Sequence, residues 1–265
     1  MTVAAGLAFL AVLVAGVPHG AADARFGSGA WSARWGRRGP ALFVLAYLGI
    51  LAGVVAAWIV APAAALLALF MLGILHFGEE ERGWARILRG ALPVMLPAVL
   101  WPGPLFSLVD PLIGAVPAEA RVGVRIDALA VLFAASWAAW HRPGWRGEIA
   151  MNLLLPPPFG FAAYFVLLHS LPLLRRQAQR RGVTLLRHVL DYAVFSVGAI
   201  ALLIGFVLWQ GAYWSHLLLG LLMLSVPHMT MPHLTARMMA RPRLRADTSG
   251  RPCVWVGKEK TTHVR

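Results

Sequence analysis

The sequence predicts an all-α, polytopic transmembrane helical bundle, and three observations carry that expectation. Hydrophobic residues make up 59% of the chain and charged residues 13%, at a mean hydropathy of +0.70. A water-soluble globule of that composition lacks the polar residues to cover its surface. Several apolar runs reach the roughly 17–25 residues that a helix needs to cross about 30 Å of hydrocarbon, and none shows the two-residue alternation of a membrane barrel. The 24 Lys and Arg residues, which give a net charge of +13, fall between the apolar runs. There they act as topology signals and anionic-lipid contacts, not as a nucleic-acid surface. The single cysteine, Cys253, excludes an internal disulfide and a thiolate metal cluster.

Taken in order, Val3 to Val17 is a first span with no basic residue before it, so it reads as a span and not as a secretory leader. It ends in Pro18-His19-Gly20-Ala21-Ala22-Asp23, where His19 and Asp23, four residues apart, share a helix face. A loop with Arg25, Arg34, Arg37 and Arg38 follows, with Trp31 and Trp35 as interfacial anchors. The second span runs from Pro40 to Val60 and the third from Pro62 to Phe77, ending in His76-Phe77-Gly78-Glu79-Glu80-Glu81. Residues 91–114 are apolar but hold Pro93, Pro97, Pro102, Pro104 and Pro111, which predicts a broken or re-entrant segment. Further spans cover Ile126–Trp140, Phe159–Leu174 with His169-Ser170, Val189–Trp209, and Tyr213–Leu234 with Pro227-His228-Met229 and Pro232-His233. Residues 1–236 form the transmembrane catalytic domain, and 237–265 a basic, disordered cytoplasmic tail.

If the proline-rich segment does not cross, there are about seven spans, and every Lys and Arg except Arg142 and Arg146 falls on one side. The positive-inside rule makes that side cytoplasmic and places the amino terminus outside the cell membrane. The same count brings His19, His76, His169 and His228 into one half of the bilayer.

Ionisable groups within a span are costly and face a functional cavity or a partner. Four imidazoles at matched depth, three of them within two residues of Gly or Pro, point to a metal centre, and imidazole with open positions suits iron, with zinc and copper as alternatives. Asp23 is either a ligand or a group that orients an imidazole. The glutamates after His76 read as a solvated helix end, and His141, His188, His216 and His263 as surface or interfacial residues. A haem-b electron carrier and a quinone- or lipid-binding bundle remain as alternatives. A di-iron hydroxylase needs HxxxH or HxxHH clusters that the chain lacks.

In order and spacing, Pro18-His19-Gly20 with Asp23, His76-Phe77-Gly78-Glu79-Glu80, Tyr164-Phe165 with His169-Ser170, and Pro227-His228-Met229 resemble the Brp/Blh family. These are integral-membrane β-carotene 15,15'-dioxygenases of bacteria and archaea, often associated with rhodopsins. The resemblance implies an Fe2+ centre held by histidines, at which O2 adds across the central double bond of the carotenoid to release two molecules of retinal. It implies His19, His76 and His169 as ligands, Asp23 beside them, and Tyr164 with its hydroxyl toward the site. Phe77, Phe165 and Trp214 are further aromatics for a polyene tunnel. One departure stands out: Leu173 occupies the position of a second family histidine, four residues after His169, and His228, or else His233, replaces that ligand.

Overall fold

Proline and glycine, more than hydropathy, decide where this chain stops and turns. The computed structural model describes residues 3–210 and 214–240, with the side chains of 3–5, 22–26, 210, 214 and 240 outside that description. Asp23 and Trp214 therefore contribute backbone only, and Cys253 and His263 lie outside the described residues. Among the described residues every regular element is helical. Three stretches, Gly27–Val60, Ala118–His141 and Ser215–Met239, are long and apolar enough to cross a membrane.

Helix α1 (Val3–Trp35) continues through most of the expected loop at 20–40. Nothing in the sequence stops it before Gly36, whose φ of +61° only glycine adopts readily. Trp31 is buried against Phe43 and Met231 and donates its indole N–H to Thr235 at 3.0 Å, so it packs inside the bundle and is not an interfacial anchor. A short 3₁₀ turn leads into α2 (Gly39–Val60), and Pro62 opens α3 (Pro62–Phe77). The α3 end abuts α4 (Trp84–Met95) so closely that Gly78 and Gly90 leave no room for a side chain, each facing backbone of the other helix.

The proline-rich stretch is broken, as its residues require. It forms α4, α5 (Pro97–Leu100) and α6 (Pro102–Ile113), the last two each opening on a proline that occupies a position with no helical N–H to lose. It does not turn back. Val109, Leu112 and Ile113 pack with Trp58, Ala65 and Leu219, at the end of the bundle remote from Glu79–Glu81. Helix α7 (Ala118–His141) then returns, and Arg142 pairs with Glu81.

Helix α8 (Gly144–Leu154) enters from that acidic end, and Trp101 donates to the Leu153 carbonyl at 2.8 Å. The chain reverses at Pro156–Pro158 and leaves as α9 (Phe159–Ala163), a π-helix over Tyr164–Ser170, and α10 (Leu171–Arg180). Arg176 meets Glu80 at 3.0 Å, so both limbs of this hairpin end where they began. The segment that turns back is thus 144–180 and not 91–114.

After α11 (Leu185–Leu190), α12 (Ala193–Gln210) and α13 (Trp214–Ala240) complete the bundle. His188, expected at the surface, is buried between Gln177 at 3.2 Å and Arg181 at 3.0 Å, and so joins α10 to α11.

Candidate metal centre

Each candidate histidine sits where its helix is locally disturbed. Pro18 precedes His19 inside α1, Pro227 precedes His228 inside α13, and His76 is the penultimate residue of α3. His169 lies in the π-helix, just ahead of Pro172. Proline has no N–H for the preceding turn and crowds the carbonyl four residues back, which widens or bends the helix, and π segments recur at functional sites for that reason.

The four rings converge. His19 lies 4.7 Å from His228 and 5.2 Å from His169, and His76 lies 5.1 Å from His169 and 5.2 Å from His228, centroid to centroid, all nearly edge to face. One ring nitrogen from each of His19, His76 and His169 falls within 4.8 Å of the others, close enough to share one ion. Gly20 faces the His228 side chain, and a Cβ there would rest in ordinary contact with that ring at 3.6 Å, so α1 and α13 lie side by side at the cluster.

His19 is only 2% exposed, and neither of its ring nitrogens has a hydrogen-bond partner; His76 Nδ1 and His169 Nε2 are equally unsatisfied. Buried polar atoms are nearly always paired, and unsatisfied imidazole nitrogens on rings whose ligand atoms lie within 4.8 Å of one another fit a metal ion. Rings in mutual edge contact leave no slot for a planar macrocycle, which opposes haem ligation.

His233 stands apart. It is 64% exposed, and its Nε2 reaches Glu79 at 3.4 Å. The same Glu79 oxygen lies 3.6 Å from His76 Nδ1, so this glutamate is not merely a solvated helix end. Burial raises the Glu79 carboxyl, but His76 and His233 outweigh it and hold it below its usual value.

The family resemblance gave Tyr164 a hydroxyl facing the site. Tyr164 is buried with its ring stacked beside His169 at 6.4 Å, and it does not line the cavity next to the cluster. The cavity wall itself is made by Phe77, Phe161 and Phe165. That cavity holds about 580 Å³, is bordered by His19, His76 and His228, and is otherwise almost wholly apolar. Asp23 follows His19 by one turn of α1, with its side chain outside the described residues.

Sequence reasoning missed the charged cap over this cluster. Arg89 binds Glu148 at 2.6 Å and Glu80 at 2.9 Å, Arg142 joins Glu81, and the buried Asn152 donates to the Glu148 carbonyl at 2.8 Å. No local motif signals this, because the partners lie 59 and 61 residues apart.

The family model for beta-carotene 15,15'-dioxygenase matches residues 10–238. This chain belongs to the beta-carotene 15,15'-dioxygenase family. A probable beta-carotene 15,15'-dioxygenase, Blh, from Halobacterium salinarum (strain ATCC 700922 / JCM 11081 / NRC-1) is 31% identical, over 60% of this chain and 57% of the relative. The chain thus aligns with little more than half of that relative's length. A comparison with the solved structures found no match to the chain. The dioxygenase match covers all four clustered histidines and both limbs of the 144–180 hairpin.

Proposed function

We propose that this protein cleaves β-carotene, or a closely related carotenoid, at its central double bond with O2 to give retinal. The observation that carries the reading is the convergence of buried imidazoles with unsatisfied nitrogens on the wall of an apolar cavity. His19, His76 and His169 would hold Fe2+, with His228 as the fourth ligand in place of the histidine absent at Leu173. Bound iron(II) supplies the one-electron chemistry by which O2 reacts with a closed-shell polyene. The chain's own part is positioning. Tyr164 and Phe77 pack against the His169 ring and fix its orientation, Glu79 sits behind His76, and the apolar lining keeps water from the reacting double bond. The retinal released suits an acceptor such as a rhodopsin, and Asp23, four residues after His19 on α1, would orient His19 or join the ligand set.

Co-expression in a β-carotene-accumulating bacterial host tests the reaction, with retinal measured in extracts. Loss of orange colour with retinal formed is expected. Persistent colour from an iron-loaded, well-expressed protein would refute it. In the same assay, His228→Leu is expected to lower bound iron and retinal together, whereas His233→Leu retains both; the opposite ranking would transfer the ligand role to His233.

We further propose seven crossings of the cell membrane, by α1, α2, α3, α4–α6, α7, α12 and α13, with the 144–180 hairpin entering and leaving at the cytoplasmic face and the amino terminus outside. In a chain with Cys253→Ser, Ala115→Cys and Gly144→Cys should then react with a membrane-impermeant thiol reagent from opposite faces. Labelling from one face would reject this arrangement.

A further inference from the structure

We propose that the carotenoid reaches the imidazole cluster sideways from the hydrocarbon phase, through an apolar portal bordered by α2 and α12; this rests on the carotenoid-cleaving reading above. The cavity next to the histidines is lined by many residues, but those that are also exposed lie on two helices only. They are Val44 and Leu48 of α2, and Val194, Phe195, Gly198 and Leu202 of α12; every other lining residue is buried or half-buried. Val44 and Leu48 are four apart, and Val194, Gly198 and Leu202 follow each other at four-residue steps, so each helix contributes one continuous stripe. The opening therefore has two apolar edges and no polar one.

Gly198 marks its middle. It has no left-handed φ to maintain, and a Cβ built there meets nothing within 4 Å, so its missing side chain leaves the α12 stripe open. Behind the stripe the lining passes through Ala21 and Gly20 of α1 to the His228 ring. The polar side chains on the way are turned inward, Tyr47 donating to the Leu224 carbonyl at 3.2 Å and Ser225 to the Leu222 carbonyl at 2.6 Å. Nothing along this path rewards water or a charged headgroup. At the acidic end, by contrast, Arg89, Arg142 and Arg176 are tied to Glu80 and Glu81. A hydrocarbon passing there would have to part a partly exposed ion-pair network and displace its water. The ligand class that fits the portal is a long hydrocarbon polyene without polar end groups, already dissolved in lipid.

The test uses the full chain with Cys253→Ser, reconstituted in phosphatidylcholine vesicles and loaded with iron, carrying either Gly198→Cys or the control Leu129→Cys. Leu129 is 51% exposed on α7 and does not line the cavity. Each variant is treated with pyrene maleimide, an apolar thiol reagent, with and without β-carotene in the vesicles. Labelling at 198, and not at 129, is expected to slow severalfold when β-carotene is present. Once labelled, the 198 variant is expected to lose about tenfold or more in kcat/KM at unchanged iron content. Equal labelling with and without β-carotene, or full cleavage by the labelled 198 variant, would overturn the portal. Protection without any cleavage in the unlabelled chain would keep the portal and discard the proposed reaction. Should Gly198→Cys fail to fold, Val44→Trp, which fills the opposite edge, is read by the same loss of kcat/KM at full iron content, and an undiminished value would again overturn the portal.

Discussion

Gly90→Ala is expected to weaken both the fold and the metal site, although alanine is normally the better helix former. A Cβ at position 90 would sit 2.7 Å from the carbonyl carbon of Ile74, closer still to its oxygen, and 3.0 Å from the Gly78 nitrogen. Ordinary contact begins at 3.4 Å, and the atoms met are backbone, so no rotamer change relieves them. The α3 and α4 axes must move apart by roughly an ångström, at an overpacking cost of about 1–3 kcal/mol. Relief of glycine's chain entropy returns about 0.5–1 kcal/mol, leaving a net loss on the order of 1–2 kcal/mol. For a chain of this size that lowers the melting temperature by roughly 2–8 °C. The metal should feel it more sharply. Ile74 is two residues from His76, and ligand distances are held to within about 0.2 Å in a well-formed site. Thermal unfolding in detergent, together with iron stoichiometry, measures both. Gly123→Ala, on α7 with nothing within 4 Å of the added methyl, is the control and should be neutral or slightly stabilising. A Gly90→Ala protein with the melting temperature and iron content of the parent would refute the packing argument.

Two further outcomes follow from the charged cap. Glu148 is 3% exposed and held by Arg89, so Glu148→Ala leaves a half-buried guanidinium without its main partner and is expected to cost about 3–5 kcal/mol by denaturant titration. Arg89→Met with Glu148→Leu should recover much of that loss, and a double variant as unstable as the single one would show that packing and not charge is at stake. Glu80 is raised by burial, but Arg89 and Arg176 dominate and hold it below its usual 4.5. A carboxyl whose folded value is depressed stabilises the fold above the unfolded value and loses that contribution as pH falls through the folded one. Stability should therefore decline as pH drops below about 4.5. Glu80→Gln should flatten the decline slightly, by well under 1 kcal/mol because Glu80 is 57% exposed. A steeper decline in the variant would reverse the sign of this account.

The histidine cluster was legible because the marks beside its members are local. His19 and His228 each directly follow a proline and His76 stands two residues before Gly78, and these mark disturbed helix positions from sequence alone. Choosing His228 over His233 was harder. The two are five residues apart, and only the packing of α13 against α1 separates a ring 4.7 Å from His19 from one that faces Glu79 at the rim. The π-helix that carries His169 has no signature beyond Pro172, and the cap joining Arg89 to Glu148 depends wholly on long-range pairing. The length of α1 was misjudged for a simpler reason. Arg25 and Arg34 suggested a loop, yet charge alone does not end a helix, and no residue before Gly36 does.

Why the wrong segment was expected to turn back is instructive, because two independent checks agreed on it. With 91–114 turning back, the basic residues apart from the rest are Arg142 and Arg146. With 144–180 turning back, they are Arg121 and Arg125. The charge asymmetry is the same in both arrangements and has no power to separate them. The depth argument fails identically. A crossing added at 91–114 reverses everything after it, and a crossing removed at 144–180 reverses it again, so from α10 onward the chain runs in the same direction either way. His169 and His228 reach the same level in both. What separates the arrangements is the pairing of Arg142 with Glu81 and of Asp110 with Arg121 at 2.6 Å, which puts the two ends of α7 in contact with opposite ends of the α4–α6 stretch. Five prolines in an apolar run announce that a helix is interrupted; whether the interrupted helix still traverses the bundle is decided by its neighbours, here α7 and α8, whose packing on Leu88, Leu92 and Leu96 holds the fragments in line.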